Sequence, residues 1–149
     1  KLEKANLSGA NLSQADLSFT KLKGANLRGA NLTEATLDKT QLEEADLTGA
    51  ILHKSVLEAT NLDGANLTKV DLTGAWIIST RSSEAKFIDA NLLGAKILGK
   101  FAKNADFTNA KFDGFIMRSM YSLCMWLMAL WSELKSKGYY WKLHRDNKR

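Results

Sequence analysis

The side chains that could support catalysis or metal binding are few in this 149-residue sequence, and they lie far apart. His53 and His144 have none of the companions that a zinc site or a catalytic triad requires. The single cysteine, Cys124, stands among apolar residues, where a thiol usually serves as a small hydrophobic group, and it can form no internal disulfide. We therefore predict no catalytic residue, no metal site, no bound cofactor and no enzymatic activity.

Aspartate, asparagine and glycine recur along the chain with a regularity that could indicate a binding loop. The acidic and amide side chains, as at Asn6, Asn11 and Asp16, come one residue before a leucine. Such side chains commonly accept hydrogen bonds from the backbone of the turn that follows them. Glycines such as Gly9 and Gly29 come two residues after a leucine, which suits a turn and forms no phosphate-binding motif. We interpret both sets of residues as turn chemistry.

These turns belong to a five-residue repeat that holds from Leu2 to Phe112 without insertion or deletion. Of the twenty-three positions spaced by five in this range, here called centre positions, sixteen are Leu, two are Ile and three are Phe. The exceptions are Ser82 and Ala102. Two residues before each centre lies a small position, usually Ala or Thr. A period of five scatters apolar residues over both a helix and a strand, so the chain must turn a corner in every unit, with centre and small side chains pointing inward.

The small positions indicate how many corners make one coil. Threonine occupies them at 20, 40, 60 and 80, and alanine at 5, 25, 45, 65, 85 and 105. Both columns align if residues twenty apart lie above each other, which makes each coil a square of four units. Residues 1–115 would then form nearly six twenty-residue coils, a rod roughly 28 Å long at the usual strand spacing.

The stretches ANLSGANLSQADLS, GANLRGANLTEATL and DGANLTKVDLTGA resemble the A(D/N)LXX motif of pentapeptide repeat proteins. The resemblance covers residues 1–115 and implies an all-β solenoid, a right-handed quadrilateral parallel β-helix whose coils stack through backbone hydrogen bonds. The absence of proline fits a backbone that needs its N–H groups for such stacking. Some family members resemble B-form DNA and bind a type II topoisomerase at its DNA site, so the resemblance also implies a DNA-mimic alternative.

The distribution of charge weighs against a DNA mimic. Residues 1–115 carry fourteen basic and fourteen acidic side chains, whereas residues 116–149 carry seven basic and two acidic ones. A mimic needs a dominantly negative surface, because phosphate charge supplies most of the affinity for the true ligand. The predicted solenoid is neutral, and Lys39 interrupts its one local acidic cluster. That cluster comprises Glu34, Asp38, Glu43, Glu44 and Asp46.

The repeat fails locally in the stretch LGKFAKNADF. Lys100 falls on a small position, where an unpaired charge in an apolar interior would be costly, and Ala102 falls on a centre position. Gly99 and Phe101 supply a small and a large residue one position earlier. We predict a bulge at residues 99–104 that turns Phe101 inward and Lys100 outward.

After Phe115 the five-residue period ends and helical spacing begins. We predict an amphipathic α-helix over residues 116–137 that caps or docks on the solenoid, followed by a basic aromatic tail at 138–149. Its apolar face comprises Met117, Met120, Tyr121, Cys124, Leu127, Met128, Trp131 and Leu134. The uncharged run from Ser119 to Ser132 has fourteen residues, below the roughly 17 to 25 that a membrane span needs. Binding to a membrane surface through the aromatic and basic residues that follow is a further alternative.

Outward-facing apolar residues mark a candidate interaction surface in the C-terminal half. Val56 and Trp76 stack at the twenty-residue spacing, as do Ile78 and Leu98, so these four residues share one side of the coil. A contiguous apolar column indicates a covered or binding face, whereas scattered apolar residues do not. The full candidate set is Val56, Trp76, Ile78, Leu98, Phe101, Met120, Leu127 and Trp131.

The sequence thus favours a non-enzymatic scaffold for protein–protein interaction. Its C-terminal half would contact either the chain's own C-terminal segment or another molecule, including a second copy in a homodimer. Nucleic-acid binding by the short basic terminus is not expected. No signal peptide or membrane span is visible, so we expect a cytoplasmic location. The chain opens inside a repeat without an initiator Met, which we interpret as an excised domain or a processed chain.

Overall fold

The computed structural model describes residues 2–98 and 104–112, and within these ranges each five-residue unit repeats one backbone pattern. The residue before the centre forms a backbone bridge to a neighbouring coil, and in most units two turn residues follow the centre. The bridges are parallel and join residues twenty apart, as Asn6 to Asn26 and Asn26 to Asp46. The twenty-residue coil is thereby confirmed. We number the coils in steps of twenty from residue 1, and the four sides of each coil in chain order.

Backbone hydrogen bonds connect each corner to the coils on both sides of it. The Leu27 N–H donates to the Asp46 carbonyl at 2.7 Å, and the Asn26 N–H donates to the Ala5 carbonyl at 2.9 Å. A third bond, from the Ala30 N–H to the Leu27 carbonyl, closes the turn. The second turn residue has a positive φ, as a type II turn requires. Fourteen of the twenty-one described residues at this position are not glycine, so the coil itself imposes the left-handed conformation.

The acidic and amide side chains before the centre positions support these turns. Asn26 Oδ1 accepts a hydrogen bond from the Arg28 backbone N–H at 3.1 Å, and Asp46 Oδ1 accepts one from the Thr48 N–H at 3.0 Å. The same bond recurs at Asn6, Asn11, Asp16, Asn31, Asn61, Asn66, Asp71, Asn91 and Asp106. The interpretation of these residues as turn chemistry is confirmed.

The core is a narrow bore in which centre residues alternate with small ones. Every centre residue from Leu22 to Leu72 is at most 1% exposed. At the two ends of the described bore, Leu7, Leu12, Phe107 and Phe112 are partly buried. One bulky side chain per unit therefore fills the interior, which explains the five-residue period.

Threonine at the small position adds a column of hydrogen bonds inside the bore. The Thr40 hydroxyl donates to the Leu17 carbonyl at 2.9 Å, and the Thr60 hydroxyl donates to the Leu37 carbonyl at 2.7 Å. Thr80 makes the corresponding bond one coil further on. Each bond joins a buried hydroxyl to the coil below, so the threonine column of the sequence is a continuous link between successive coils.

Ser82 is much smaller than the large centre residues, and the next centre residue partly fills the space that it leaves. Its side chain is 1% exposed, and its hydroxyl has no hydrogen-bond partner in the described part of the chain. The next centre residue, Phe87, is fully buried, and its ring stacks on that of Phe107 with the centroids 4.8 Å apart. A larger ring beside a smaller side chain keeps the interior volume closer to that of two leucines, which limits the packing defect.

The fourth side changes its backbone conformation along the rod. In the first two coils hydrogen bonds close its turns, from the Thr20 N–H to the Leu17 carbonyl and from the Thr40 N–H to the Leu37 carbonyl. Across the described residues, no such bond closes the chain at 57–60 or 77–80. Three parallel strands form instead, and each pairs with the next one along the chain. They are β1 (Val56–Glu58), β2 (Trp76–Ile78) and β3 (Lys96–Leu98).

Several predictions fall outside the described residues. These are the bulge with Lys100 and Phe101, the capping helix over residues 116–137, and the tail at 138–149. The twenty-residue register is present beyond residue 103, where Asp106 bridges Lys86 and Lys111 bridges Asn91.

We expect Thr60→Val to lower the free energy of unfolding by about 1 kcal/mol, because the variant loses a buried hydrogen bond without changing side-chain volume much. Denaturant unfolding of the two proteins measures this difference. Val70 is a fully buried residue at another small position, so the bore accepts valine. Equal stability of Thr60→Val and the parent would show that the threonine column contributes no net stability.

Candidate interaction surface

The three strands present one face outward, which we call the sheet surface. Their middle residues point into the bore: Leu57 and Ile77 are at most 1% exposed and Ile97 is 7% exposed. The flanking residues point outward in two columns. The sheet surface comprises Val56, Trp76 and Lys96 in one column and Glu58, Ile78 and Leu98 in the other.

The centre of the sheet surface is apolar and unusually open. Trp76 is 46% exposed and Leu98 is 53% exposed, while Val56 and Ile78 are half-buried. Val56 pairs with Trp76, and Ile78 pairs with Leu98, as the sequence predicted. These four side chains lie on neighbouring strands and form a continuous patch, in contrast to Phe19, a large exposed residue on the otherwise polar part of the same side.

Charged residues lie at the two edges of this patch. The Lys96 ammonium lies 4.3 Å from the centroid of the Trp76 ring, within the range of a cation–π contact. This contact favours one orientation of the indole. Glu58 is exposed and lies in register beside Ile78, and its carboxylate forms no ion pair with any described residue. The surface therefore combines an oriented aromatic group, aliphatic neighbours and an acidic group that has no ion pair within residues 2–98 and 104–112.

The acidic cluster of the sequence is partly compensated by nearby polar groups, and Asp38 Oδ1 and Glu43 Oε2 are buried without a hydrogen-bond partner among the described residues. Glu44 pairs with Lys23 at 3.2 Å, and Asp46 pairs with Arg28 at 2.9 Å. Glu43 accepts a hydrogen bond from the Asn61 amide at 2.6 Å. Two of its five carboxylates are thus ion-paired, and residues 1–115 as a whole are neutral, whereas a DNA mimic needs a dominantly negative surface.

The carboxylate of Asp46 has a pKa below its usual value. Burial raises this pKa, but hydrogen bonds from the Thr48 hydroxyl, the Thr48 backbone and Arg28, together with the charge of Arg28, outweigh it. At Asp16, the Ser18 side chain and then its backbone N–H lower the pKa of the carboxyl. Both carboxylates are thus stabilised in their charged form by groups of the turn.

The residues that first suggested chemistry form no reactive site in the described ranges. His53 is half-buried on the third side of the coil and is not part of the sheet surface. Within residues 2–98 and 104–112, no group of three His, Cys, Asp or Glu side chains could hold a metal ion. Cys124 and His144 lie outside these ranges. No helix among the described residues is long and apolar enough to span a bilayer.

Four of the eight predicted surface residues lie on the sheet surface, namely Val56, Trp76, Ile78 and Leu98. The other four fall outside the described residues, namely Phe101, Met120, Leu127 and Trp131. Sequence reasoning missed the contributions of Glu58 and Lys96. The twenty-residue spacing would have signalled both, because Lys96 stacks on Trp76 and Glu58 lies below Ile78.

Comparison of sequences matches the chain to the family model described as pentapeptide repeats. The match has eight copies and covers residues 1–29, 10–49, 25–64, 40–75 and 65–99, more than half of the chain. None of the curated protein sequences matches the chain.

Three solved structures are similar to the described fold. A pentapeptide repeat protein (Rfr23) from the cyanobacterium Cyanothece 51142 has 25% identity and a TM-score of 0.61, with 73% of this chain and 84% of that chain covered. A pentapeptide repeat protein of the Arabidopsis thaliana thylakoid lumen has 25% identity, coverage of 64% and 59%, and a TM-score of 0.45. HetL, a pentapeptide repeat protein involved in heterocyst differentiation regulation from the cyanobacterium Nostoc sp. strain PCC 7120, has 28% identity, coverage of 74% and 56%, and a TM-score of 0.37. The first of these supports the coil described above.

We expect Asp46→Asn to lower the free energy of unfolding near neutral pH by a few tenths to about 1 kcal/mol, because it removes the ion pair with Arg28 but keeps Oδ1 for Thr48. The folded state lowers the pKa of Asp46 from its usual 3.8, so the parent's advantage is complete above that value. It disappears as the pH falls through the folded pKa. Denaturant unfolding at neutral pH and at about pH 2 measures both stabilities.

Asp71→Asn is the matched control for this substitution. Asp71 accepts hydrogen bonds from Thr73 in the same way that Asp46 accepts them from Thr48, but it has no ion pair among the described residues. We expect a smaller loss for this variant. An equal loss in both variants, or a loss at Asp46 that does not depend on pH, would contradict the contribution of Arg28.

Proposed function

Because the chain belongs to the pentapeptide repeat family, and its repeats supply stacking and surface rather than reactive groups, we propose that it is a non-enzymatic scaffold for protein–protein contacts. The observation that carries this proposal is the sheet surface, where Trp76 and Leu98 expose about half of their area. Partner binding is assigned to the C-terminal half, which includes this surface and the segment 116–137. The partner is another protein or a second copy of the chain.

The composition of the sheet surface supports a protein partner. Interfaces are enriched in aromatic residues at their centre and carry charged groups at their rim. Trp76 would act as the central anchor, since buried tryptophans often contribute most of the binding free energy. Its contact with Lys96 orients the ring in advance, which reduces the entropy lost when a partner binds.

The architecture assigned to this function is a right-handed coil of nearly six turns that ends in an amphipathic helix over residues 116–137. In this arrangement the coil presents outward residues in fixed columns, and the helix docks on the end of the coil, on its apolar side or on a second copy. The two other functions predicted from the sequence, a DNA mimic and a membrane-surface module, have no comparable support among the described contacts. The two ion pairs within the acidic cluster and the neutral charge of residues 1–115 weigh against the first of them.

A photoreactive amino acid placed at Glu58 tests this function in cells that make the full chain. Position 58 lies on the sheet surface, whereas Ser18 follows a centre residue on the same side but belongs to the polar first coil. We expect a discrete covalent adduct with a second polypeptide from position 58 and none from position 18. Mass spectrometry of the adduct identifies that polypeptide as another protein or as a second copy.

Two outcomes of this experiment would overturn the proposal. Equal adducts from positions 58 and 18 would indicate non-specific contact with the whole side. No intermolecular adduct from position 58, with both variants folded and present at the parent's level, would show that the sheet surface binds no partner in those cells.

A further inference from the structure

We propose that, in the free chain, the sheet surface is covered by the segment 116–137 of the same molecule. This inference rests on the proposed function, because it names what occupies the assigned binding surface when no partner is bound. Three features of the described residues and the sequence support it: where the described coils end, how long the apolar segment is, and how charge is distributed.

The chain leaves the described coils next to the sheet surface. Lys111 bridges Asn91, and Phe112 is half-buried as the last described residue, on the third side of the coil. In the preceding coil, five residues lead from Leu92 on the third side to Ile97 in the middle of β3. A continuation of equal length from Phe112 reaches the fourth side at about the start of the segment 116–137. The segment therefore begins beside the surface that we propose it covers.

The length of the segment matches the extent of the sheet surface. The uncharged run from Ser119 to Ser132 has fourteen residues, which as the predicted helix would be roughly 21 Å long. Strands in a sheet are about 4.8 Å apart, so β1 and β3 lie roughly 10 Å from each other. A helix that runs back along the fourth side is long enough to cross all three strands. Its apolar residues would then bury Trp76 and Leu98.

The third and fourth coils and the C-terminal residues carry net charges of opposite sign. The third and fourth coils, residues 41–80, carry six acidic side chains and two lysines. Residues 135–149 carry six basic side chains and one acidic one. This difference in charge attracts the C-terminal residues toward the coils that contain β1 and β2. The carboxylate of Glu58 has no ion pair among the described residues, so its charge adds to this attraction.

The native Cys124 allows a direct test, because it lies within the uncharged run and is the only thiol of the chain. In the full-length purified protein, Ile78→Cys adds a second thiol on the sheet surface. Ile88→Cys is the matched control: residue 88 is also a half-buried isoleucine that follows a centre residue, but it lies on the opposite, second side of the coil. Both variants are treated in dilute solution with a short bismaleimide, which joins two thiols through thioether bonds.

We expect an internal link in Ile78→Cys, seen as one linker per monomer by mass spectrometry and as an altered migration on a denaturing gel. Its yield should exceed that of Ile88→Cys at least tenfold. Unfolding midpoints of both variants provide the control for folding. If Ile78→Cys does not fold, Glu58→Cys places the thiol at an exposed position of the same strand pair.

Each other outcome would overturn the inference. A covalent dimer in place of the internal link would show that a second copy supplies the segment. Equal internal yields from the two variants would show that the segment has no preferred side, and the absence of any link would show that it lies elsewhere. If no internal link forms but position 58 gives an adduct with a partner, the inference fails and the proposed function stands. If the internal link forms but position 58 gives no adduct, the proposed function fails and the inference about the segment stands.

Discussion

The stacking of backbone hydrogen bonds at a twenty-residue register is the constraint on which the rest of the structure depends. Each coil forms hydrogen bonds with both of its neighbours. The Leu27 N–H donates to the Asp46 carbonyl of the next coil, and the Asn26 N–H donates to the Ala5 carbonyl of the preceding coil. This pairing uses most of the backbone N–H groups, which disfavours proline, and it keeps the second turn residue left-handed even where it is Gln14 or Glu34. It also means that each residue has its closest outward neighbours at positions twenty before and twenty after its own.

Because of this register, the outside of the rod is organised in columns. The outward residues of a column do not have to fit the packing of the bore, because centre and small residues alone fill the interior. Outward positions can therefore carry turn-stabilising groups in one coil and apolar groups in the next without loss of the core. The fourth side shows both cases: Asp16 and Ser18 form a hydrogen-bonded turn, whereas Trp76 and Ile78 belong to a strand.

The interior of the fold could be predicted from the sequence, because large residues at the centre positions alternate with small residues at the small positions. The recurrence of leucine predicted the corners, the threonine column predicted the register, and both are confirmed. The strands of the sheet surface were not predicted, because a closed turn and an extended corner place the same centre residue inward and differ only in their outward residues. Residue pairs such as Arg28 and Asp46, eighteen positions apart, also escaped prediction, since they depend on side-chain rotamers across a corner. The stacking of Val56 on Trp76 could be predicted because it depends on the register alone.

Because of the same register, the number of residues inserted into the repeats would determine how the later part of the rod is shifted or rotated. Inserting twenty residues would add one coil, moving everything beyond it by about 4.8 Å along the axis and leaving its direction unchanged. Inserting five residues would instead rotate everything beyond it by a quarter turn and bring another side of the square into line with β1–β3. A gene that gains or loses repeats could thus set separately the distance and the angle between two bound molecules, in steps that leave the bore intact.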